Sequence, residues 1–132
     1  MLILGVGVDI VEISRIKNAL DKHTNFVERL FDKDEIEYFN KNNNKPESIA
    51  GSFAAKEAVS KVFGTGFRGF EFKEICIHRT NLGKPNVILK EKAELVAKKY
   101  GNYRIHLSIS HEINNAIAFA VMEVDDIESC RC

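Results

Sequence analysis

The chain has 132 residues, of which 45% are hydrophobic and 29% charged, a length that suits one globular domain with its own core and is too short for two. Its 19 basic and 19 acidic residues cancel, so it has no general electrostatic affinity for nucleic acids or membranes. The apolar run near the N-terminus is only about ten residues long and contains Asp9, so we expect it to be neither a membrane span nor a signal peptide. The three cysteines are odd in number and lack paired spacing, which argues against a disulfide framework or a zinc site. We expect a cytoplasmic location.

The first predicted element is a buried strand over residues 2–11, LILGVGVDIV. Its period-two alternation places Leu4, Val6, Val8 and Ile10 on one face and Gly5, Gly7 and Asp9 on the other. Glycine in a strand often marks the close approach of another backbone or a ligand, so this face has room for a bulky group beside Asp9. Asp9 is therefore a candidate functional carboxylate. The alternative is that it caps a helix beginning near Glu12.

Three helices are predicted next, over residues 12–22, from the Thr24-Asn25 start signal to Leu30, and after Asp32. Asp32 is followed three residues later by Glu35, which resembles a capping box for the third helix. That helix ends in the polar run 40–45, which we interpret as a loop.

The long helix predicted over residues 47–63, ESIAGSFAAKEAVSKVF, has apolar residues all round its axis and is expected to be surrounded by protein. Two of its charges, Glu57 and Lys61, share one sector, and partly desolvated charges cost free energy unless a partner, metal or ligand compensates them. The simplest alternative is an i,i+4 ion pair worth ~0.2–0.5 kcal/mol. Pro46 suits the first helical position, and the Gly64-Thr65-Gly66 segment ends the helix.

The C-terminal half predicts strands over residues 70–79 and 86–89 joined by the turn 80–85, a helix over 90–100, and a hairpin of 103–110 with 115–124. Ala116, Ala118 and Ala120 share one face of the last strand, a flat surface on which the long helix can pack. We expect an α+β fold in which a largely antiparallel sheet packs on a long helix. Residues 1–125 form the single predicted domain, and residues 126–132 are an unassigned C-terminal tail.

Four segments carry a family resemblance: GVGVDIVEISRI (5–16), FAAKEAVSKVFGTG (53–66), NLGKP (81–85) and SISH (108–111). In this order they resemble holo-[acyl-carrier-protein] synthase, the short bacterial type of 4′-phosphopantetheinyl transferase. The resemblance implies the fold of that family and a Mg²⁺-dependent reaction of fatty acid biosynthesis. In that reaction the phosphopantetheine arm of coenzyme A moves to a serine of an apo acyl carrier protein, and adenosine 3′,5′-bisphosphate is released.

The resemblance also implies roles for particular residues. Asp9 and Glu57 are the implied Mg²⁺ ligands and, with Lys61, the catalytic residues, in keeping with the preference of Mg²⁺ for oxygen ligands and substrate phosphates. The implied coenzyme-binding residues are Lys61, Gly64, Thr65, Gly66, Gly83, Lys84, Pro85 and His111. Simpler structural interpretations remain open for several of them: a helix C-cap at residues 64–66, a hairpin turn at 83–85 and a hairpin residue at 111.

Partners follow from the same resemblance. Carrier proteins are acidic, so the docking surface is expected to be locally basic, with Arg15 and Arg29 as candidates. The family also implies a homotrimer with active sites between subunits. Two alternatives remain open. One is a non-catalytic nucleotide-binding or interaction module of the same fold, and the other is a different Mg²⁺-dependent phosphotransferase, although the common GxxxxGK[ST] loop is absent from the sequence.

One residue departs from the family pattern. Family members carry arginine immediately before the FAxKEA block, where it resembles a ligand of the coenzyme's 3′-phosphate, whereas this chain has Ser52. Either discrimination for the 3′-phosphate is weak, or another cation compensates. The candidate cations are Lys45, Lys56, Lys84 and Arg68.

Overall fold

The computed structural model describes residues 1–64 and 69–125. The elements, in chain order, are β1 (Leu2–Glu12), α1 (Ile13–Lys22), α2 (Phe26–Leu30), α3 (Lys33–Lys41), α4 (Pro46–Val62), β2 (Ile75–Arg79), β3 (Pro85–Leu89), α5 (Glu91–Lys98), β4 (Tyr103–His111) and β5 (Asn115–Val124). Most predicted elements are present. The strand predicted from residue 70 is wrong at its start, because Phe72–Glu74 form a 3₁₀ turn and β2 begins only at Ile75.

The strands of the described residues form two antiparallel sheets, one of three strands in the order β1-β5-β4 and one formed by β2 and β3. Helix α4 packs on the three-stranded sheet. The predicted packing face of β5 is fully buried, with no exposed surface on Ala116, Ala118 or Ala120. The α+β arrangement with an antiparallel sheet on a long helix is therefore observed.

The glycine face of β1 lies directly against the backbone of α4. A Cβ atom at Gly5 would lie 2.3 Å from the carbonyl oxygen of Val62, and one at Gly7 would lie 2.0 Å from that of Ala58. The close approach predicted for this face is thus made by a helix backbone. It brings Asp9, the next residue on the same face, beside α4.

The other face of β1 does not fit the prediction of a buried strand. Val6, Val8 and Ile10 are 56%, 50% and 64% exposed. Across the sheet, Val8 is paired with Phe119 and Ile10 with Ile117, and both partners are also exposed. Alternation correctly separated the two faces of the strand. It did not identify which face the chain's own core covers.

A buried ion pair fixes α4 against α3 and β2. The Lys56 ammonium donates to Glu35 Oε1 at 2.9 Å and to the Ile75 carbonyl at 2.7 Å, and Glu35 Oε2 accepts from the Ile77 N–H at 2.9 Å. Lys56 is fully buried, and Glu35 is 1% exposed. Burial raises the pKa of Glu35 and lowers that of Lys56, while their mutual attraction opposes both shifts. The pair satisfies its polar atoms internally.

The helix ends largely follow the predicted signals. Asp32 and Glu35 form the predicted capping box at the start of α3, and Pro46 is the first residue of α4. Gly64 follows α4 with a φ of +76°, a conformation that favours glycine, so the predicted stop is confirmed at this residue. Thr65 and Gly66 lie outside the described residues, as do Arg68 and the tail 126–132. Within the two described ranges, none of the helices has both the length and the hydrophobicity needed to cross a bilayer.

Candidate active site

Three charged side chains meet where β1 crosses α4. Lys61 extends from α4 to β1, where its Nζ donates to the Val8 carbonyl at 2.9 Å and lies 3.4 Å from Asp9 Oδ1. The cross-element pair with Asp9 is thus the ion pair that Lys61 forms within the described chain, rather than the i,i+4 pair with Glu57. The capping alternative for Asp9 is wrong, because α1 begins at Ile13 and Asp9 lies within β1.

The electrostatics of Glu57 indicate two carboxylates facing one space. Burial raises the pKa of Glu57, and the negative charge of Asp9 raises it further, while Lys61 lowers it. Lys61 is about half exposed and compensates the pair only in part. Oxygen ligands with excess negative charge are what a hard divalent cation such as Mg²⁺ requires, so the donor set fits that ion.

Asp9 and Glu57 line a cleft of about 580 Å³ between β1, α1 and α4. Arg15 of α1 borders the same cleft and is exposed, so the predicted docking arginine lies beside the two carboxylates. Arg29 is exposed on α2 and does not line this cleft. A binding surface that includes Asp9 and Arg15 therefore has opposite charges at neighbouring positions.

The cleft has an apolar wall that the sequence analysis missed. Phe26 of α2 and Phe53 of α4 line it, with parallel rings whose centroids are 6.4 Å apart. A helical wheel places Phe53 in the same sector as Glu57, so the sequence contained a signal that Phe53 lines this cleft. No such signal exists for Phe26, because only the tertiary fold brings α2 to the cleft.

The remaining predicted coenzyme residues lie elsewhere on the chain. His111 is exposed at the end of β4 and lines a cleft of about 600 Å³ with Lys45 and Ser48. Gly83 has a φ of +86° and belongs to the turn between β2 and β3, where the Thr80 N–H donates to the Lys84 carbonyl. The hairpin interpretation of residues 83–85 is thus observed. A third cleft of about 650 Å³, lined by Gly83, is adjacent to the His111 cleft through the shared residue Asn42.

Strand β5 lies between the strand of Asp9 and the strand of His111. The same side of α4 contacts β1 at Gly5 and Gly7 and approaches Ile109 of β4 at Gly51. Asp9 lies on β1 and His111 on β4, the two outer strands of the sheet. The structure therefore brings together Asp9, Glu57, Lys61 and Arg15, and it does not bring His111 to them within one chain.

The position of Ser52 and the burial of Lys56 narrow the search for a cation that compensates for the missing arginine. Ser52 is 1% exposed and offers no surface hydroxyl. The Lys56 candidate is wrong, because its ammonium is committed to the buried pair with Glu35. Lys45 and Lys84 are exposed, and of these two Lys45 lines the His111 cleft.

Comparison with known proteins gives the family. The model of the ACPS family, the 4′-phosphopantetheinyl transferase superfamily, matches residues 5–120. The chain is 63% identical over 131 residues to the holo-[acyl-carrier-protein] synthase of Clostridium kluyveri. The alignment covers 99% of this chain and 98% of that relative. The chain belongs to the 4′-phosphopantetheinyl transferase superfamily. Within that superfamily, the predicted enzyme class of holo-[acyl-carrier-protein] synthase is confirmed.

Solved structures of such transferases confirm the predicted fold. The holo-[acyl-carrier-protein] synthase of Neisseria meningitidis is similar with a TM-score of 0.83 at 34% identity, covering 92% of this chain and 99% of that one. The enzyme of Bacillus anthracis, solved in complex with CoA (3′,5′-ADP), gives a TM-score of 0.77 at 35% identity, covering 95% and 100%. The phosphopantetheinyl transferase-like fold is thus the fold of this chain.

Proposed function

We propose that the chain transfers the 4′-phosphopantetheine group of coenzyme A to a serine of an apo acyl carrier protein in a Mg²⁺-dependent reaction that serves fatty acid biosynthesis. The observation that carries the proposal is the meeting of Asp9, Glu57 and Lys61 beside a cleft bordered by Arg15. Coenzyme A is the expected donor because the related Bacillus anthracis enzyme was solved with CoA (3′,5′-ADP).

In the proposed reaction the serine oxygen bonds to the phosphorus that carries the pantetheine arm. The bond from that phosphorus to the bridging pyrophosphate oxygen breaks, and adenosine 3′,5′-bisphosphate leaves with the electron pair. Glu57, which lines the cleft beside Asp9, takes up the serine proton through a water molecule. Lys61 offsets negative charge on the pyrophosphate.

Asp9 and Glu57 are the residues that would hold Mg²⁺. The excess negative charge that raises the pKa of Glu57 supports this assignment, because a divalent cation relieves the repulsion that Lys61 compensates only in part. When bound, the ion supplies positive charge for the pyrophosphate and the leaving phosphate.

The proposal includes a homotrimer, in which a second copy completes each coenzyme site. Asp9 and His111 lie on opposite outer strands of the sheet with β5 between them and line different clefts, so we expect one extended ligand to reach both residues across two chains. The outer face of the sheet supports self-association. Val6, Val8, Ile10, Ile117 and Phe119 are each 41–64% exposed there and form a continuous apolar surface.

In the proposed coenzyme site Lys45 takes the place of the family's arginine near the 3′-phosphate. It is exposed and borders the same cleft as His111, whereas Ser52 and Lys56 are buried. Gly64 and Lys84 are exposed and remain proposed contacts, together with Gly83 and Pro85 of the turn. Thr65 and Gly66 lie outside the described residues, and their proposed contact with coenzyme A rests on the family resemblance.

The deciding experiment measures transfer by mass. The protein is incubated with coenzyme A, Mg²⁺ and an apo acyl carrier protein, and we expect the carrier to gain the phosphopantetheine mass. Asp9→Asn and Glu57→Gln are expected to abolish the gain while remaining folded, and Asp21→Asn, an exposed α1 carboxylate, serves as the matched control. Binding of coenzyme A without any mass gain would favour the non-catalytic alternative. Full activity of either cleft variant, or activity in chelator, would refute the metal assignment.

A separate measurement addresses assembly. Sedimentation of the wild type is expected to give a trimer, and Phe119→Glu is expected to dissociate it, because a charge at the centre of an apolar interface is left without a partner. Leu82→Glu is the control, since Leu82 is 98% exposed on the β2–β3 turn. A monomeric wild type that transfers the group at full rate would refute the shared site.

A further inference from the structure

Outside the active-site cleft, a carboxylate, a thiol and an imidazole converge at the junction of α3 and β2. Ligand atoms of Asp32, Cys76 and His78 all lie within 4.8 Å of one another. His78 Nε2 is 2.9 Å from Asp32 Oδ2 and 3.9 Å from Asp34 Oδ2. We refer to Asp32, Asp34, Cys76 and His78 as the Asp32 cluster.

The fold holds these groups in place for separate reasons. Cys76 and His78 are two residues apart on β2, so alternation puts both side chains on the face toward α3. Asp32 is the N-cap of α3, and its Oδ1 accepts from the Glu35 N–H at 2.8 Å. Its other oxygen, Oδ2, is thereby directed to the cluster. Two of the four groups precede or begin a helix and two lie on a strand, which is why sequence spacing gave no sign of them.

The cluster is open to solvent on one side. Cys76 is fully buried and forms its floor, whereas the side chains of His78 and Asp34 are 21% and 66% exposed. Both exposed residues line the cleft of about 650 Å³ beside the β2–β3 turn. An ion in that cleft would meet Asp34 and His78 before the buried Cys76 thiol.

A cation already lies at this position. The Lys90 ammonium is 2.8 Å from Asp32 Oδ2, and its side chain is 45% exposed. The cluster thus stabilises positive charge. Because Lys90 is long and partly exposed, it can leave Asp32 Oδ2 for water.

We propose that the Asp32 cluster is a transition-metal site, with Asp32, Cys76 and His78 as ligands and Asp34 completing the set, that takes Zn²⁺ or Co²⁺ independently of the Asp9–Glu57 centre. A sulfur, a nitrogen and carboxylate oxygens form a borderline-soft donor set that suits these ions and does not suit Mg²⁺. Tetrahedral zinc, with bonds of about 2.0–2.3 Å, separates its ligand atoms by roughly 3.3–3.8 Å, which the cluster reaches with small side-chain movements.

Binding involves a simple exchange of cations and protons. The Cys76 thiol loses its proton to solvent as the sulfur–metal bond forms, because the thiolate is the ligand. Lys90 leaves Asp32 Oδ2, and no oxidation or reduction occurs. The bound ion would link the start of α3 to β2, so it should also raise the unfolding temperature.

The test uses Co²⁺ as a spectroscopic probe in a Cys130→Ser, Cys132→Ser background, so that Cys76 is the sole thiol. We expect a thiolate-to-cobalt charge-transfer band that Zn²⁺ abolishes by displacement. Cys76→Ser should remove the band, and His78→Asn should weaken Co²⁺ binding by at least about tenfold. Lys90→Met should strengthen binding, because the competing cation is gone. His23→Asn, at the exposed end of α1, is the matched control.

Several results would overturn the proposal. The absence of a charge-transfer band in the background protein would do so, as would a band that survives in Cys76→Ser. Because Cys76 is buried, the fold of that variant is checked by circular dichroism. The more exposed positions give an independent test: unchanged Co²⁺ affinity in both His78→Asn and Lys90→Met would also refute the site. Glu57→Gln should keep the band, because none of the described residues that line the active-site cleft is a cysteine; loss of the band there would refute the independence of the two sites.

Discussion

Replacing Gly7 with alanine is the sharpest test of how the active site is assembled. The added Cβ would lie 2.0 Å from the Ala58 carbonyl oxygen, 3.0 Å from its carbonyl carbon and 3.0 Å from Lys61 Cβ. An ordinary contact is 3.4–4 Å long, so β1 and α4 would have to separate by more than about 1 Å. The obstructing atom is a helix backbone acceptor, which cannot rotate away as a side chain does.

The expected cost follows from that rigidity. Overpacking in a well-packed interior costs about 1–3 kcal/mol, and a clash with fixed backbone belongs at or above the upper end. Against a total stability of about 5–15 kcal/mol, a loss of about 3 kcal/mol is readily measured as a shift in the urea midpoint. Because Asp9 is two residues along the same face, we also expect the folded fraction to transfer phosphopantetheine more slowly.

Gly51→Ala is the matched control for Gly7→Ala. The same methyl group at Gly51 would lie 3.0 Å from Ile109 Cγ2, a side-chain methyl that can shift. Gly51 is also inside α4, where alanine is favoured over glycine by about 0.5–1 kcal/mol. We expect this variant to be close to neutral. If Gly7→Ala were within about 0.5 kcal/mol of the wild type, the tight β1–α4 contact would not be what positions Asp9.

Three further predictions address charges. Glu35→Gln leaves the buried Lys56 ammonium without its counter-charge and should cost about 3–5 kcal/mol in urea unfolding, whereas Glu37→Gln on the exposed side of α3 should change little. Equal midpoints for the two variants would contradict this. The raised pKa of Glu57 means that its ionised form disfavours folding, so Glu57→Gln should stabilise the protein in chelator at neutral pH. The gain should be lost as the pH falls from the raised folded-state pKa to 4.5, below which Glu57 is protonated in both states. A loss of stability at neutral pH would contradict this prediction. Arg15→Glu should weaken capture of the carrier protein far more than binding of coenzyme A, measured by separate titrations, and an equal loss for both substrates would put Arg15 in the coenzyme site.

Local chemistry in the sequence predicted the helix ends and part of the active site. Capping at Asp32, the first position of α4 at Pro46 and the stop at Gly64 each follow from chemistry within a few residues, and each is observed. The glycine face of the first strand also pointed to a close neighbour. The residue pattern singled out Asp9 and Glu57 separately, whereas their pairing at one site was implied by the family resemblance.

The sequence could not predict features that depend on distant partners. The burial of Lys56 requires Glu35, 21 residues earlier, and nothing in the helix itself separated this lysine from an exposed phosphate ligand. The exposed apolar face of β1 shows the same limit. Alternation reports that a face is apolar, but it does not report whether the chain's own core or another molecule covers it.

Adjacent residues of the KEA motif connect the core to the chemistry. Lys56 and Glu57 are consecutive on α4, so their side chains point about 100° apart around the helix axis. Bonds from Lys56 to Glu35 and to the Ile75 carbonyl fix the rotation of the helix from its buried side. Gly5 and Gly7 fix its distance from β1 on the other side. With rotation and distance both set by packing, Glu57 has to face the space beside Asp9. The repulsion between these two carboxylates is therefore maintained by the core.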